Sequence, residues 1–241
     1  MEQRRRRAAI AQAYDAVGAA GSRPPAGMGF PTGAALAREL GYPEAAVSAA
    51  PPALLDAFVG ASALAPSLMA EGRPGELVLD LGCGAGLDAW LLARAGYRVA
   101  ALDACASMLS RLAGLGDSAP RGLRTVRAEL PSLPIRDGIA DWVLLNGVAN
   151  LIGEREALWR EVCRVLAPGG RLLAADLVAL GPVPPELRAL PEAWAWCLGG
   201  APEASRWAAE LEGAGLDAPR ISILEEIPPF ARAVAEARRP G

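Results

Sequence analysis

The chain of 241 residues contains no histidine, and every one of its 24 basic residues is arginine. Without lysine there is no Schiff-base nucleophile for pyridoxal chemistry and no phosphate-gripping lysine of the P-loop kind. Without histidine, neither a Ser-His-Asp hydrolase nor a His-based metal centre can be built, and no metal site is expected. The four cysteines, Cys83, Cys105, Cys163 and Cys197, lie far apart and form no CxxC pair, which argues against a zinc knuckle or a secreted disulfide framework. No apolar run reaches the roughly 18 residues of a membrane span. Ala8 to Ala20, where a signal-peptide core would be continuous, is broken by Gln12, Tyr14 and Asp15. The expectation is a cytoplasmic protein with no membrane partner. Net charge is only −3, so the broad basic face of a nucleic-acid binder is missing as well. Arg4 to Arg7 is the one basic cluster and reads as a solvated N-terminus.

What is present is apolar material, 52% of the residues, ample for a core. Residues 3–17 have the composition of a helix, and the following GAAGSRPPAGMGFPTG cannot continue one. Short helices are predicted around Ala34 to Leu40 and Pro52 to Leu64. Residues 1–70 therefore read as a small helical cap beside a main domain at 71–241.

From Glu76 onward the pattern alternates strand, loop and helix. Strands are predicted at Leu77 to Leu81, Arg98 to Leu102, Leu123 to Val126, Trp142 to Leu145 and Arg171 to Val178. Helices are predicted at Leu87 to Ala95, at Ser107 to Leu115 with Ser107 as N-cap, and at Glu154 to Leu166. Helical stretches near 186–197 and 202–214 precede two last strands, Arg220 to Leu224 and Phe230 to Ala237, joined by a Pro-Pro turn as an antiparallel edge. The fold class is α/β: a Rossmann-like, seven-stranded, mostly parallel sheet with helices on both faces and an antiparallel last strand.

Asp80-Leu81-Gly82-Cys83-Gly84-Ala85-Gly86 stands between a strand and a helix. Alternating glycines let the backbone turn sharply and approach a ligand closely, beyond the carboxyl end of the strand. The next helix offers its N-terminus to a negative group. Asp103 falls at the end of the second strand, where a carboxylate can accept hydrogen bonds from two ribose hydroxyls. A dinucleotide dehydrogenase would instead show G-x-G-x-x-G.

Four stretches in this order, VLDLGCGAGLDAWLLA, ALDACASMLSRL, ELPSLPIRDGIADWVLLNGVANL and REALWREVCRVLAPGGRLLAADL, resemble class I S-adenosylmethionine-dependent methyltransferases over roughly residues 75 to 180. The resemblance implies S-adenosyl-L-methionine as cofactor, S-adenosyl-L-homocysteine as product, and roles for individual residues. Gly82, Gly84 and Gly86 would shape the loop around the methionine part, with Cys83 filling a small site in it. Asp80 would face the amino group. Asp103 would hold the ribose, and Ala104 and Met108 would lie near the adenine. Glu129 would accept from the adenine amino group, and the Leu130 N–H would donate to the ring. Asn146 would face the amino-acid end and the acceptor. Tyr14 resembles an N-terminal tyrosine that many relatives fold over the site.

Within the superfamily, LGYPE at 40–44, NGVANL at 146–151 and AWAWCLGGA at 193–201 resemble arsenite methyltransferases. That family holds trivalent arsenic with several thiolates, soft ligands for a soft centre. Here Cys197 is kept, but Gly147 stands at one cysteine position and AFVGASALAPSL supplies no other.

The partner expected is a small-molecule methyl acceptor, with the protein acting as a monomer or homodimer. An oxygen acceptor usually requires a base, commonly histidine; here Asp15, Asp176, Glu129, Tyr14 or water would have to serve. Sulfur, nitrogen or stabilised carbon nucleophiles need less help. Asn146, Tyr14 and Cys197 are the candidate catalytic residues. Trp194, Trp196 and Trp207 either line an acceptor pocket in an insertion at about 180–210 or fill a core. A cofactor-binding subunit without transfer, and a non-methylating enzyme using the same cofactor, remain alternatives.

Overall fold

A computed structural model describes residues 2–20 and 32–241. Residues 21–31, most of the predicted Gly/Pro-rich break, lie outside the described part. A 19-residue helix α1 (Glu2–Ala20) comes first. Four short helices follow: α2 (Gly33–Glu39), α3 (Glu44–Ala49), α4 (Pro52–Leu55) and α5 (Leu64–Met69). The helix predicted from Pro52 to Leu64 ends instead at Leu55, because residues 56–63 are drawn into turns whose backbone amides bond to side chains of the main domain.

The sheet is built from β1 (Leu77–Leu81), β2 (Arg98–Asp103), β3 (Leu123–Arg127), β4 (Ala140–Asn146), β5 (Leu166–Ala179), β6 (Asp217–Ile227) and β7 (Phe230–Arg238) in the order β3-β2-β1-β4-β5-β7-β6. The first five pair in parallel, and β7 lies antiparallel between β5 and β6. The last strand is thus interior and β6 forms the edge, a refinement of the predicted edge pair. The LAPGG turn does more than stop a helix. Leu166 pairs with Ala140 and Arg171 with Trp142, so the residues between them bulge out of a longer β5.

Helices α6 (Leu87–Arg94), α7 (Ala106–Ala113), α8 (Arg155–Val165), α9 (Pro185–Ala189), α10 (Pro191–Ala195) and α11 (Ala204–Gly213) complete the fold. Period-two alternation in the strands feeds two cores. Val78, Val99, Leu144 and Leu173 pack with α6 and with Leu36, Tyr42, Leu54 and Leu64 of the N-terminal helices. Leu79, Leu102, Val143 and Leu172 pack on the other face with α8 and α11. Residues 33–69 therefore share the core of the sheet. Helix α7 starts at Ala106 with Cys105 as N-cap; Ser107, predicted for that position, sends its hydroxyl to the Asp15 carboxylate of α1 at 3.1 Å.

Candidate active site

At the carboxyl ends of β1, β2 and β4 a cavity of about 630 Å³ opens beneath α1. Its floor is the glycine loop. Gly82, Gly84 and Gly86 all have left-handed φ, at 68°, 54° and 86°. A Cβ on Gly82 would meet Val148 Cγ2 at 2.5 Å, and one on Gly86 would meet Leu112 Cδ2 at 2.6 Å. At Gly84 a Cβ would meet nothing within 4 Å. Two glycines are therefore required by packing and the third leaves a cradle that a side chain would fill.

Asp103 is fixed from both sides: Gly84 N–H donates to Oδ2 and Cys105 N–H to Oδ1, each at 2.8 Å. Burial raises the carboxyl pKa against these donors. Asp80 is 2% exposed, and its Oδ2 has no hydrogen-bond partner among the described residues. Burial, with the charges of Asp88 and Asp103, pushes its pKa well above the usual carboxylate range. A buried oxygen left open at the cavity wall, beside an open glycine cradle, suits a ligand that brings a donor or positive charge. Ala104, Glu129 and Leu130 line the same cavity, as does Cys83, whose thiol is held protonated by burial next to Asp80 and Asp103. Met108 does not line it. That side chain is fully buried beneath the loop with Val17, Ala57 and Ala85.

The roof and far wall carry an apolar stretch, Ile10, Ala11 and Tyr14 of α1, then Phe58, Val59, Val148, Leu151, Ile152 and Trp194, flanked by the polar Gln3, Arg6, Arg7 and Asp15 of α1 and by Glu154. Of the predicted basic cluster, Arg6 stacks 4.2 Å over the Trp194 ring and Arg7 pairs with Glu129 at 3.3 Å, so this end of α1 is docked on the main domain. Tyr14 packs on the cavity side with its pKa driven up by burial and by the charges of Cys197, Asp176 and Asp103. It stays a neutral phenol near neutrality.

Three expected contributors stand elsewhere. Cys197 is buried outside the lining and donates Sγ–H to Gly147 O at 3.3 Å; burial and Asp176 raise its pKa, which disfavours a thiolate. Asp176 is 1% exposed beneath the site, accepting from Asn150 N–H at 2.9 Å, Asn150 Nδ2 at 3.0 Å and Leu177 N–H at 2.8 Å. Trp207 is core, 6.3 Å from Trp159 between ring centroids, whereas Trp194 faces the cavity and Trp196 packs near Tyr14.

Asn146 reaches the cavity, but its carboxamide is committed to protein groups. Oδ1 accepts from Ala61 N–H at 2.8 Å, and Nδ2 donates to Ser62 O at 2.8 Å and Asp88 Oδ2 at 2.9 Å. Sequence reading missed Asp88, Tyr42 and Asn150. The one available signal was a lone carboxylate inside the apolar stretch LDAWLLA.

A family model described as a methyltransferase domain matches residues 79–174. The chain is 31% identical over 169 residues to an arsenite methyltransferase of Halobacterium salinarum, spanning 68% of this chain and 43% of the relative. It is 35% identical over 155 residues to an arsenite methyltransferase of Aquipseudomonas alcaligenes, spanning 60% and 44%. The chain thus spans less than half the length of these curated relatives. Among solved structures, an arsenic (III) S-adenosylmethionine methyltransferase from Chlamydomonas reinhardtii shares the fold with a TM-score of 0.61 at 23% identity, covering 88% of this chain and 75% of that one. Sheet order, glycine loop and matched domain together define a class I S-adenosylmethionine-dependent methyltransferase fold. Over residues 79–174 the chain carries the methyltransferase domain of that superfamily, whose cofactor is S-adenosylmethionine, and the two curated relatives it resembles here are arsenite methyltransferases.

Proposed function

We propose that the chain binds S-adenosylmethionine between the glycine loop and Asp103 and transfers its methyl group to a small, apolar or aromatic acceptor through sulfur, nitrogen or a stabilised carbon. The observation that carries this reading is the union, in one cavity, of a polar floor (Asp80, Asp103, open Gly84) with an apolar patch facing it (Tyr14, Phe58, Trp194). The bound sulfonium would supply an electrophilic methyl; the protein's part is to orient, enclose and dry the two reactants. Held in line, the acceptor gains most of its rate from proximity and from exclusion of water under α1.

Among the described residues, the carboxylates on the roof side are engaged by other groups. Asp15 accepts from the Cys105 thiol and the Ser107 hydroxyl, Glu129 is paired with Arg7, and Glu154 accepts from Gln3. That arrangement favours nucleophiles that ionise in solution without a protein base, such as thiols and stabilised carbon acids, or that lose a proton only after attack, such as amines. A second reading, trivalent arsenic as acceptor, is favoured by the names of the relatives. It would have to work with one buried thiol, Cys197, beside a glycine.

Calorimetric titration with S-adenosylmethionine and S-adenosylhomocysteine tests the cofactor. Binding by the intact protein with roughly a hundredfold loss in Asp103→Ala, the scale of two charge-assisted hydrogen bonds, supports the reading. A folded protein that binds neither sinks it. Thiols, amines and trivalent arsenic then form the acceptor panel.

A further inference from the structure

One polar cluster, centred on Asp88 and Asn146 at the wall of the same cavity, has no part in the reading above. Asp88, 5% exposed in the first turn of α6, accepts three hydrogen bonds: from Tyr42 Oη at 2.7 Å, Ala65 N–H at 3.0 Å and Asn146 Nδ2 at 2.9 Å. Asn146, at the end of β4, also accepts from Ala61 N–H at 2.8 Å and Ser62 N–H at 3.3 Å and donates to Ser62 O at 2.8 Å. Gly60 lets the segment come close here, since a Cβ would lie 3.0 Å from Asn146 Oδ1. Three separate chain segments, 42, 60–65 and 88, are thus joined through the tip of β4.

The cluster is directional. Every hydrogen bond that Asp88 makes is one it accepts, so an acceptor-only carboxylate fits these three partners and an amide does not. By fixing Asn146 Nδ2 toward itself, Asp88 leaves Oδ1 for the amides of Ala61 and Ser62. Reversing the carboxamide would set donor against donor at those amides and acceptor against acceptor at Ser62 O. The segment so held carries Phe58 and Val59, which wall the acceptor side of the cavity. Asp88 itself sits two residues after Gly86, on the helix that begins at the cofactor loop.

We propose that Asp88 is a positioning residue: acting through Asn146 and Tyr42, it ties the acceptor wall at 58–65 to the glycine-loop helix, so that filling the cofactor site orders that wall. The inference rests on the cofactor reading above. It assigns Asn146 to the same device, with its carboxamide holding the wall and not the substrate.

The amides of Ala61, Ser62 and Ala65 are the donors of this cluster, so their hydrogen exchange reports on it directly. In the intact protein, S-adenosylhomocysteine is expected to slow exchange across 58–65 by roughly tenfold or more, the signature of a local opening suppressed by ligand. In Asp88→Asn that protection is expected to vanish while affinity for S-adenosylhomocysteine changes far less than in Asp103→Ala. Tyr42→Phe keeps the ring and loses one donor, and is expected to weaken the protection partially; it serves if Asp88→Asn fails to fold. Unchanged protection in both variants overturns the proposal. So does a loss of ligand affinity in Asp88→Asn as large as in Asp103→Ala, which would make Asp88 part of the cofactor contact itself. A wild-type protein that binds no S-adenosylhomocysteine fails one step earlier, at the cofactor reading, and this inference falls with it.

Discussion

At the scale of single residues, the glycine loop separates two reasons for having no side chain. Gly82→Ala forces a Cβ to within 2.5 Å of Val148 at a φ of 68°. Overpacking and backbone strain together are expected to cost roughly 1–3 kcal/mol, read as a lowered thermal midpoint. Gly84→Ala meets nothing within 4 Å. Its cost should be limited to about 1–2 kcal/mol for the left-handed backbone, while cofactor affinity falls because the methyl group occupies the cradle. Calorimetry and thermal unfolding, run side by side, distinguish the two. Asp176 gives a second prediction. Burial raises its pKa from 3.8 to about 6 in the folded protein, against the donors Asn150 and Leu177. The folded state then binds the proton more tightly than the unfolded chain, so stability is fully present below the lower value and is lost as pH rises through about 6. The contribution of this one group amounts to roughly 3 kcal/mol across that window, and Asp176→Asn should remove that share of the slope. Thermal midpoints of both proteins between pH 4 and 7 check this; parallel curves would refute it.

Among elements, α8 and α11 show how a charged pattern can be core. Arg155 and Glu210 form an ion pair with side-chain exposures of 11% and 7%, and Arg155 also donates to Gly200 O. Burial works against it, yet the Arg155 hydrogen bonds hold the Glu210 carboxyl below its ordinary range, with Trp159 Nε1 donating as well at 3.3 Å. Arg155→Ala would leave that carboxylate with only Arg206 and Trp159 as donors and strip Gly200 O of its partner, at an expected cost of about 1–3 kcal/mol in chemical denaturation. Glu154 to Leu166 was legible as a helix because its apolar period is strong and a Pro-Gly-Gly follows. Its partner was not legible, since nothing local says that Glu210 lies opposite. Likewise Pro52 to Leu64 has helical composition, but the Asn146 carboxamide oxygen, accepting from the Ala61 and Ser62 amides, holds part of it in turns. Local propensity lost to long-range hydrogen bonding at the one place where the acceptor wall is set.

For the whole molecule, the roof is the decisive element. Helix α1 is tied by Arg111, whose Nε donates to Gly18 O at 2.6 Å and whose Nη1 donates to Ala53 O at 2.9 Å, and by Asp15 bound to Cys105 and Ser107. Arg111→Ala should loosen the roof without touching the floor. Dissociation of S-adenosylhomocysteine is expected to quicken severalfold while unfolding changes little; an unchanged off-rate would show that α1 does not gate the cavity. No helix among the described residues is long and apolar enough to cross a membrane.

The sequence by itself determined the strand–helix alternation, the glycine loop and the pairing of Asp80 with Asp103, because each depends on spacing within a short stretch or on a turn that few residues can make. Only the tertiary structure decided which tryptophan faces the cavity, that Met108, Cys197 and Asp176 stand behind its wall, and that Asn146 is spoken for by residues 61, 62 and 88. Those outcomes rest on contacts between residues from 26 to 188 positions apart, where neither periodicity nor residue type carries a signal.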